Sequence, residues 1–486
     1  MTGSVYVTTS IPYVNARPHI GFALELVQAD VIARYHRLLN ITTRFQTGTD
    51  ENAFKNVLSA RDLGITVQEL VDRNSILFRQ LAEVLNISYD TFVRTTSIEH
   101  QQAVHKFWRQ LKKDDLYIKR YRGLYCTGCE DFYLPRDLIN GLCPDHTTRP
   151  AEVEEENLFF RLSDYQVQIY NLLYSGQIKV IPESAKKEVL SFVSGGLQDI
   201  SISRPQERSK GWGIQVPDDP SQVVYVWIDA LINYISGLGY GTNSDWNTFW
   251  KSETLKIHVI GKNVWKFHAV YWSALLLSAG LPLPNEIVVH GFLTENGQKI
   301  SKSRGSTYDP FDVTKDYGVD AVRYYLLRGV SSFGDSDFST QRLVALYNAD
   351  LANGLGNLVN RLTTLAHKVG YGRYNYSFIP DAPEGYHESL RDYEFDNSLK
   401  SLWVIVTRLN QDIDKKRPWE TLRKGDAALL KSQLTEWFSE LWRVGYWLAP
   451  FLPSTGEKVL DIISSGPITT HLPMFPKINS PPCVSS

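Results

Sequence analysis

The chain is poor in cysteine, has no surplus of charge of either sign and has no long apolar run. Four cysteines among 486 residues argue against a small secreted disulfide scaffold. Lys+Arg is 51 and Asp+Glu is 53, a net charge of −2. That excludes coating nucleic acid by bulk charge; such a partner would need local basic patches. The longest uncharged stretch, Phe267–Asn285, carries His268, Gly280, Pro282 and Pro284. It reads as a buried helix and a turn rather than a membrane span. The N-terminus has neither a basic start nor a long apolar core, so no signal peptide is expected and the cytoplasm is the expected compartment. No fixed-period repeat and no low-complexity tract occurs.

What is present fits a large folded chain. Hydrophobic residues make up 43% and charged residues 21%, which excludes wholesale disorder. At roughly 100–200 residues per domain, two to four domains are expected. Val5–Thr9 is β-branched and alternating, and predicts a strand. A loop rich in Pro, Asn and Arg follows, and His19–Leu39 has helical periodicity. Thr42–Thr47 predicts a second strand ending at Gly48-Thr49-Asp50-Glu51. Strand, long helix and strand form a βαβ unit, hence a parallel, doubly wound, Rossmann-like α/β sheet with ligands beyond the carboxyl ends of its strands. Strands are expected again at Val223–Asp229 and Lys256–Gly261. From about residue 340 the pattern is helical, over Leu343–Lys368, Asn397–Lys416 and Asp426–Ala449, which predicts a C-terminal bundle.

Three of the cysteines cluster as Cys126-x2-Cys129-x13-Cys143-x2-His146. Each short spacing lets two side chains of one tight turn meet one ion, and two turns complete a tetrahedron of the kind zinc prefers. With four ligands the site would be closed and structural. Cys483, in a Pro/Ser-rich tail, is expected to be free. Two further segments suit phosphate. His19-Ile20-Gly21-Phe22 opens a helix directly after a strand and loop, where N–H groups and the helix dipole favour an anion. Gly21 would let a nucleotide approach the backbone. Lys299-Ile300-Ser301-Lys302-Ser303 follows a turn and offers two ammonium groups to the charge of a reacting triphosphate.

These residues resemble the class I aminoacyl-tRNA synthetases, and among them the methionyl-tRNA synthetases. His19–Phe22 corresponds to the HIGH signature and Lys299–Ser303 to KMSKS. The likeness runs over nearly the whole chain. It includes Ile11–Asn15, Thr47–Glu51, the cysteine knuckle, Glu155–Phe160, Tyr225–Ala230, Gly261–His268, Asn353–Arg361, Arg417-Pro418-Trp419 and Met474-Phe475-Pro476. The resemblance implies ATP-dependent activation of L-methionine to methionyl-adenylate and transfer to the 3′ end of tRNA(Met). It implies His19, Lys299 and Lys302 in catalysis, and ATP held by His19, Gly21, Glu25, His290, Lys299 and Lys302, with Mg²⁺ on the triphosphate. The methionine pocket would use Ile11, Tyr13, Asp50, Trp227, Ala230, Leu231, Tyr234, Val264, Phe267 and His268. Asn357, Arg361 and Trp419 would read the anticodon, and one Zn²⁺ would sit on Cys126, Cys129, Cys143 and His146.

The expected organisation follows. Residues 1–114 form the first half of the catalytic domain. Residues 115–222 are an insertion with the knuckle at 121–148, and 223–297 are the second half. The lysine loop and stem-contact region take 298–342, and the helical anticodon-binding domain takes 343–486. Because the chain stops soon after Phe475-Pro476, a monomer is expected. Three segments depart from the family pattern: Phe22 stands for the second histidine of the signature, Asn52-Ala53 for His-Gly, and Asn263 for Asp. They leave a second reading, a synthetase-derived paralogue that passes an aminoacyl-adenylate to a non-tRNA acceptor, and a third, a decayed RNA-binding protein. The presence of Asn357, Arg361 and Trp419 speaks against the second, and that of His19 and Lys302 against the third.

Overall fold

Strand β1 (Val5–Thr9) is buried at all five positions, as a central strand covered on both faces must be. The structure, a computed structural model, describes residues 3–133, 135–144, 147–241, 245–251, 253–295, 297–300, 308–376, 378–470 and 473–479. After β1 come α1 (Ile20–Leu38), β2 (Thr43–Thr49), α2 (Phe54–Leu63), α3 (Val67–Val84), β3 (Thr91–Arg94) and α4 (Ile98–Gln110). The chain then leaves the sheet through β4 (Leu116–Cys126), β5 (Asp131–Tyr133) and β6 (Ala151–Phe160), adds an edge strand to it with β7 (Lys179–Ile181), and leaves again through β8 (Ile200–Ser201). It returns through α5 (Val226–Ser236), β9 (Leu255–Gly261) and β10 (Glu286–His290).

Six strands form the main sheet in the order β3-β2-β1-β9-β10-β7, and the five pairings are parallel. From β1 the chain builds outward to one side, and from β9 to the other, so the order reverses between β1 and β9. Ligands of doubly wound sheets bind in the crevice at such a reversal, beyond the strand carboxyl ends. Gly48 is obligatory in β2, because a Cβ there would lie 2.2 Å from the Val93 carbonyl oxygen of β3. The insertion carries its own antiparallel sheet, in the order β5-β4-β6-β8, with Leu116 to Tyr125 of β4 paired against Phe160 to Ala151 of β6.

The strand expected over Val223–Asp229 divides between a strand and a helix. Val223 and Val224 end a strand over Asp219–Val224, but Val226–Ser236 is α5. The β-branched and aromatic run around Tyr225 favours a strand locally. The burial of Ile228, Leu231, Ile232 and Ile235 at helical spacing outweighs that preference.

Contacts group the chain into two compact units, residues 1–29, 39–83 and 88–290, and residues 30–38, 84–87 and 291–486. In the second, β11 (Leu293–Glu295) pairs with β12 (Gln298–Lys299). Among the helices that follow are α6 (Asn357–Lys368), α7 (Phe395–Lys416), α8 (Pro418–Arg423), α9 (Ala427–Leu448) and α10 (Pro453–Ser464). Their apolar faces, among them Leu358, Leu362, Leu399, Leu402, Leu434 and Phe438, are buried. Arg323, fully buried, pairs with the equally buried Asp30 at 2.7 Å. Its guanidinium also donates to the carbonyls of Leu85, Pro450 and Phe451, so the buried charge is compensated.

Candidate active site

Trp227, Ala230, Leu231 and Tyr234 recur at i, i+3, i+4 and i+7 on α5, so one helix face carries all four. Val264, Phe267 and His268 repeat that spacing on a neighbouring segment, where Lys266–Trp272 is a π-helical turn. Leu231, Tyr234, Val264 and Phe267 belong to one apolar cluster, with Tyr13 and Trp227 packed against it. The Trp227 and Phe267 rings stack with centroids 3.8 Å apart and planes 5° from parallel. Tyr13 lies 6.0 Å from Trp227. Flat aromatic walls of this kind suit a polarisable, unbranched thioether.

Polar groups border that cluster. His268 Nδ1 is 2.8 Å from the Val264 carbonyl, so Nδ1 carries the proton and Nε2 accepts. The Tyr234 hydroxyl, 2.6 Å away, donates to that Nε2. Burial pushes His268 down to about 4, which keeps the ring neutral. Asp50 follows β2 and bridges to Tyr13 across the sheet edge; its N–H donates to the Pro12 carbonyl at 2.9 Å. The residue is 1% exposed, and among the described residues its Oδ1 has no hydrogen-bond partner. Burial first, then the carboxylates of Asp229 and Glu130, hold Asp50 well above the usual carboxylate range. A buried carboxylate oxygen without a donor is costly, and a ligand ammonium would satisfy it.

Around Asp50 the carboxylates are held firmly. Arg94 clasps Glu51 at 2.7 and 3.0 Å, and Thr49 and Thr96 also donate to it. Asn52 donates to Asp229 Oδ2 at 2.7 Å and to the Thr95 carbonyl at 3.1 Å, while His100 holds the other Asp229 oxygen at 2.6 Å. The departure at Asn52 therefore has a defined job, anchoring a buried aspartate.

The α1 end of the crevice is built from His19, Glu25 and His290. The Gly21 N–H donates to His19 Nδ1 at 3.0 Å, which leaves the proton of a neutral His19 on Nε2. Gly21 is there for that ring: a Cβ would lie 2.9 Å from His19 Cε1 and Nδ1. Glu25, on the second turn of α1, accepts from Ser10 Oγ at 2.7 Å and meets His290 Nε2 at 2.9 Å. The Phe22 N–H donates to the His19 carbonyl at 3.0 Å; the residue is 7% exposed, and its ring packs edge-on to Phe78 at 5.3 Å. Ile11 is half-buried, and Asn263 is exposed.

Cys126, Cys129 and Cys143 come together, with their sulfurs all within 4.8 Å of one another and Cys129 Sγ 3.4 Å from Cys143 Sγ. Three thiols this close fit one tetrahedral ion, whose Zn–S bonds are about 2.3 Å. Burial pushes the Cys129 thiol well up, and a bound dication would reverse that by favouring the thiolate. His146 and Lys302 lie outside the described residues, as do Ser301, Ser303 and Cys483. The backbone of Lys299 is in β12.

In the helical unit, Asn357 is exposed at the start of α6. Arg361, one turn on, reaches Asp414 at 2.5 Å and Asn410 at 3.4 Å, both on α7. Arg417 closes α7 in the left-handed conformation, φ 44°, and Pro418 opens α8, which presents Trp419 at 40% exposure. The Asp414 contact thus brings Arg361 to the end of the bundle that carries Trp419.

Sequence reasoning missed Ser10, Asn56, His100 and Glu130. Only Glu130 had a signal, its place directly after Cys129.

A parallel sheet with a switch-point crevice, an anion-ready helix start and a cysteine knuckle in its insertion defines the catalytic unit of a class I synthetase. The family model "tRNA synthetases class I (M)" matches residues 5–155 and 146–363, and the chain belongs to that family. It is 39% identical over 481 residues to the methionine–tRNA ligase of Thermotoga maritima, covering 94% of this chain and 75% of that one. It is 38% identical over 486 residues to the methionine–tRNA ligase of Mycobacterium tuberculosis, covering 95% and 92%. Among solved structures it is similar to the Mycobacterium tuberculosis methionyl-tRNA synthetase in complex with methionyl-adenylate, with TM-score 0.88, 35% identity and coverage of 98% and 100%. The apo form of that synthetase gives TM-score 0.82, 33% identity and 99% coverage of both chains.

Proposed function

We propose that the chain is a methionine–tRNA ligase, activating L-methionine with ATP and transferring it to tRNA(Met). The observation that carries this reading is the buried, unpartnered Asp50 oxygen beside an aromatic cluster of Tyr13, Trp227 and Phe267. An amino acid with a thioether side chain answers both halves: its ammonium pairs with Asp50, and its side chain lies among the rings. Ile11, Ala230, Leu231 and Val264 complete the apolar lining, and Tyr234 with His268 sets its polar edge.

The methionine carboxylate attacks the α-phosphate of ATP and pyrophosphate leaves; a tRNA ribose hydroxyl then attacks the acyl carbonyl and AMP leaves. Neither step needs a protein nucleophile, so catalysis is positioning and charge stabilisation. His19, Gly21, Glu25 and His290 hold the nucleotide. Lys299 and Lys302 supply positive charge to the phosphates, with Mg²⁺ as counter-ion. Cys126, Cys129, Cys143 and His146 hold one structural Zn²⁺. Asn357, Arg361 and Trp419 read the anticodon, Trp419 by stacking on an unpaired base. The enzyme acts as a monomer in the cytoplasm; among the described residues no helix is long and apolar enough to cross a membrane.

Methionine-dependent ATP–pyrophosphate exchange, followed by charging of tRNA(Met), tests this. Both activities are expected, with Trp419→Ala losing charging and keeping exchange. No exchange would overturn the reading; exchange without charging would move it to a different acceptor. Light scattering at twice the chain mass would overturn the monomer.

A further inference from the structure

The turn that carries the cysteine cluster also touches the methionine pocket from behind, and it does so through one side chain that no metal would need. Helix α2 starts three residues after Glu51, and its own N-cap, Ala53, offers no side-chain acceptor. The acceptor comes from elsewhere: the Lys55 N–H donates to Glu130 Oε1 at 2.9 Å. Glu130 is 3% exposed and sits in the left-handed region at φ 54°, a conformation a non-glycine residue holds only when its surroundings demand it. An outside carboxylate therefore does for α2 what a capping Ser or Asp normally does.

The first turn of α2 in turn holds the loop that presents Asp50. Asn56 Nδ2 donates to the Glu51 carbonyl at 2.8 Å and lies 3.4 Å from that of Asp50. The same knuckle turn reaches the aromatic wall by its backbone. Trp227 Nε1 donates to the Cys129 carbonyl at 3.1 Å, and the Tyr225 hydroxyl donates to the Glu130 carbonyl at 2.5 Å. Lys55 Nζ lies 5.4 Å from the centre of the Tyr13 ring. Ammonium partner and thioether wall thus both rest on residues 129–130.

We propose that Glu130 is a positioning residue for the methionine pocket, capping α2 from the knuckle so that Asp50 and the aromatic wall keep their register. This rests on the pocket assignment above. The test is calorimetric titration of L-methionine into the zinc-loaded protein, with ATP KM and bound zinc measured alongside. Glu130→Ala should raise the methionine Kd about tenfold or more, with ATP KM within about twofold and one zinc retained. Glu130→Gln, whose amide oxygen still accepts, should stay within about threefold of wild type. Ala53→Ser in the Glu130→Ala background, which gives α2 a cap of its own, should recover most of the loss, and a role confined to the knuckle would not respond to it.

An unchanged Kd in Glu130→Ala, or equal losses in the Gln and Ala variants, overturns the proposal. If Glu130→Ala does not fold, the Gln variant decides alone: a tenfold loss there overturns capping. Failure of the wild type to bind methionine would instead overturn the pocket assignment and the proposal with it.

Discussion

Asp50 sits in conflict with its surroundings: a carboxylate in the core, next to Asp229 and Glu130, with one oxygen unpartnered. Such strain is tolerated where a ligand relieves it. Asp50→Asn should therefore keep the folded state or stabilise it by about 1 kcal/mol in chemical denaturation, while methionine-dependent exchange falls at least about a hundredfold, since a lost charge pair is worth roughly 3 kcal/mol. Phe22 is the opposite case. Its ring is core packing against Phe78, so a histidine there would bury an imidazole in an apolar contact. Phe22→His is expected to cost about 1–3 kcal/mol in stability and to give no gain in exchange rate; a faster enzyme would show that the phenylalanine impairs the site.

Two elements carry predictions of their own. His268 stays neutral in the folded helix, pushed by burial from 6.5 to about 4, and an unfolded chain would protonate it first. The unfolded state thus binds more protons between those values, and stability falls as pH drops through that window. Replacing the ring by Gln should flatten that acid limb by about 3 kcal/mol, read from denaturation curves at a series of pH values. At the end of α7, Asp414 ties down Arg361. Asp414→Asn should free the guanidinium, tighten tRNA binding about threefold at low salt and steepen its salt dependence. Exchange should not change, because that step involves no tRNA; an affinity equal to wild type would remove Arg361 from the anticodon reading.

At the scale of the molecule, the cysteine cluster is a fold element as much as it is the proposed metal site. Removing the metal with a chelator should loosen β4–β6 and, through residues 129–130, weaken methionine binding as well as lower the unfolding temperature. Thiol titration before and after chelation should show three additional reactive cysteines per chain; no change would mean the cluster holds without an ion.

Much of this was legible in the residues alone. The β-branched run of β1 and the helical period of α1 are local patterns that define the βαβ unit; the second strand runs on to Thr49, two residues past the expected end, so the loop at its edge starts at Asp50. The cysteine spacing predicted convergence, and three sulfurs do converge. The family resemblance implied roles for residues such as Glu25 and His290, 265 positions apart, that the fold brings to 2.9 Å. Other features needed the third dimension. The strand expected over Val223–Asp229 rests on local β-formers; Val223 and Val224 do end a strand, but burial puts Val226–Asp229 at the start of a helix. Gly21 reads as room for a nucleotide; that a Cβ there would also crowd the His19 ring, 2.9 Å away, shows only in the structure. Glu130 reads as an ordinary acidic residue, until the insertion folds back to place it at the head of α2. Periodicity, turn chemistry and ligand spacing are short-range, so the chain states them directly. Which buried carboxylate lacks a partner, and which helix borrows its cap from another element, depend on long-range packing that sequence neighbours do not encode.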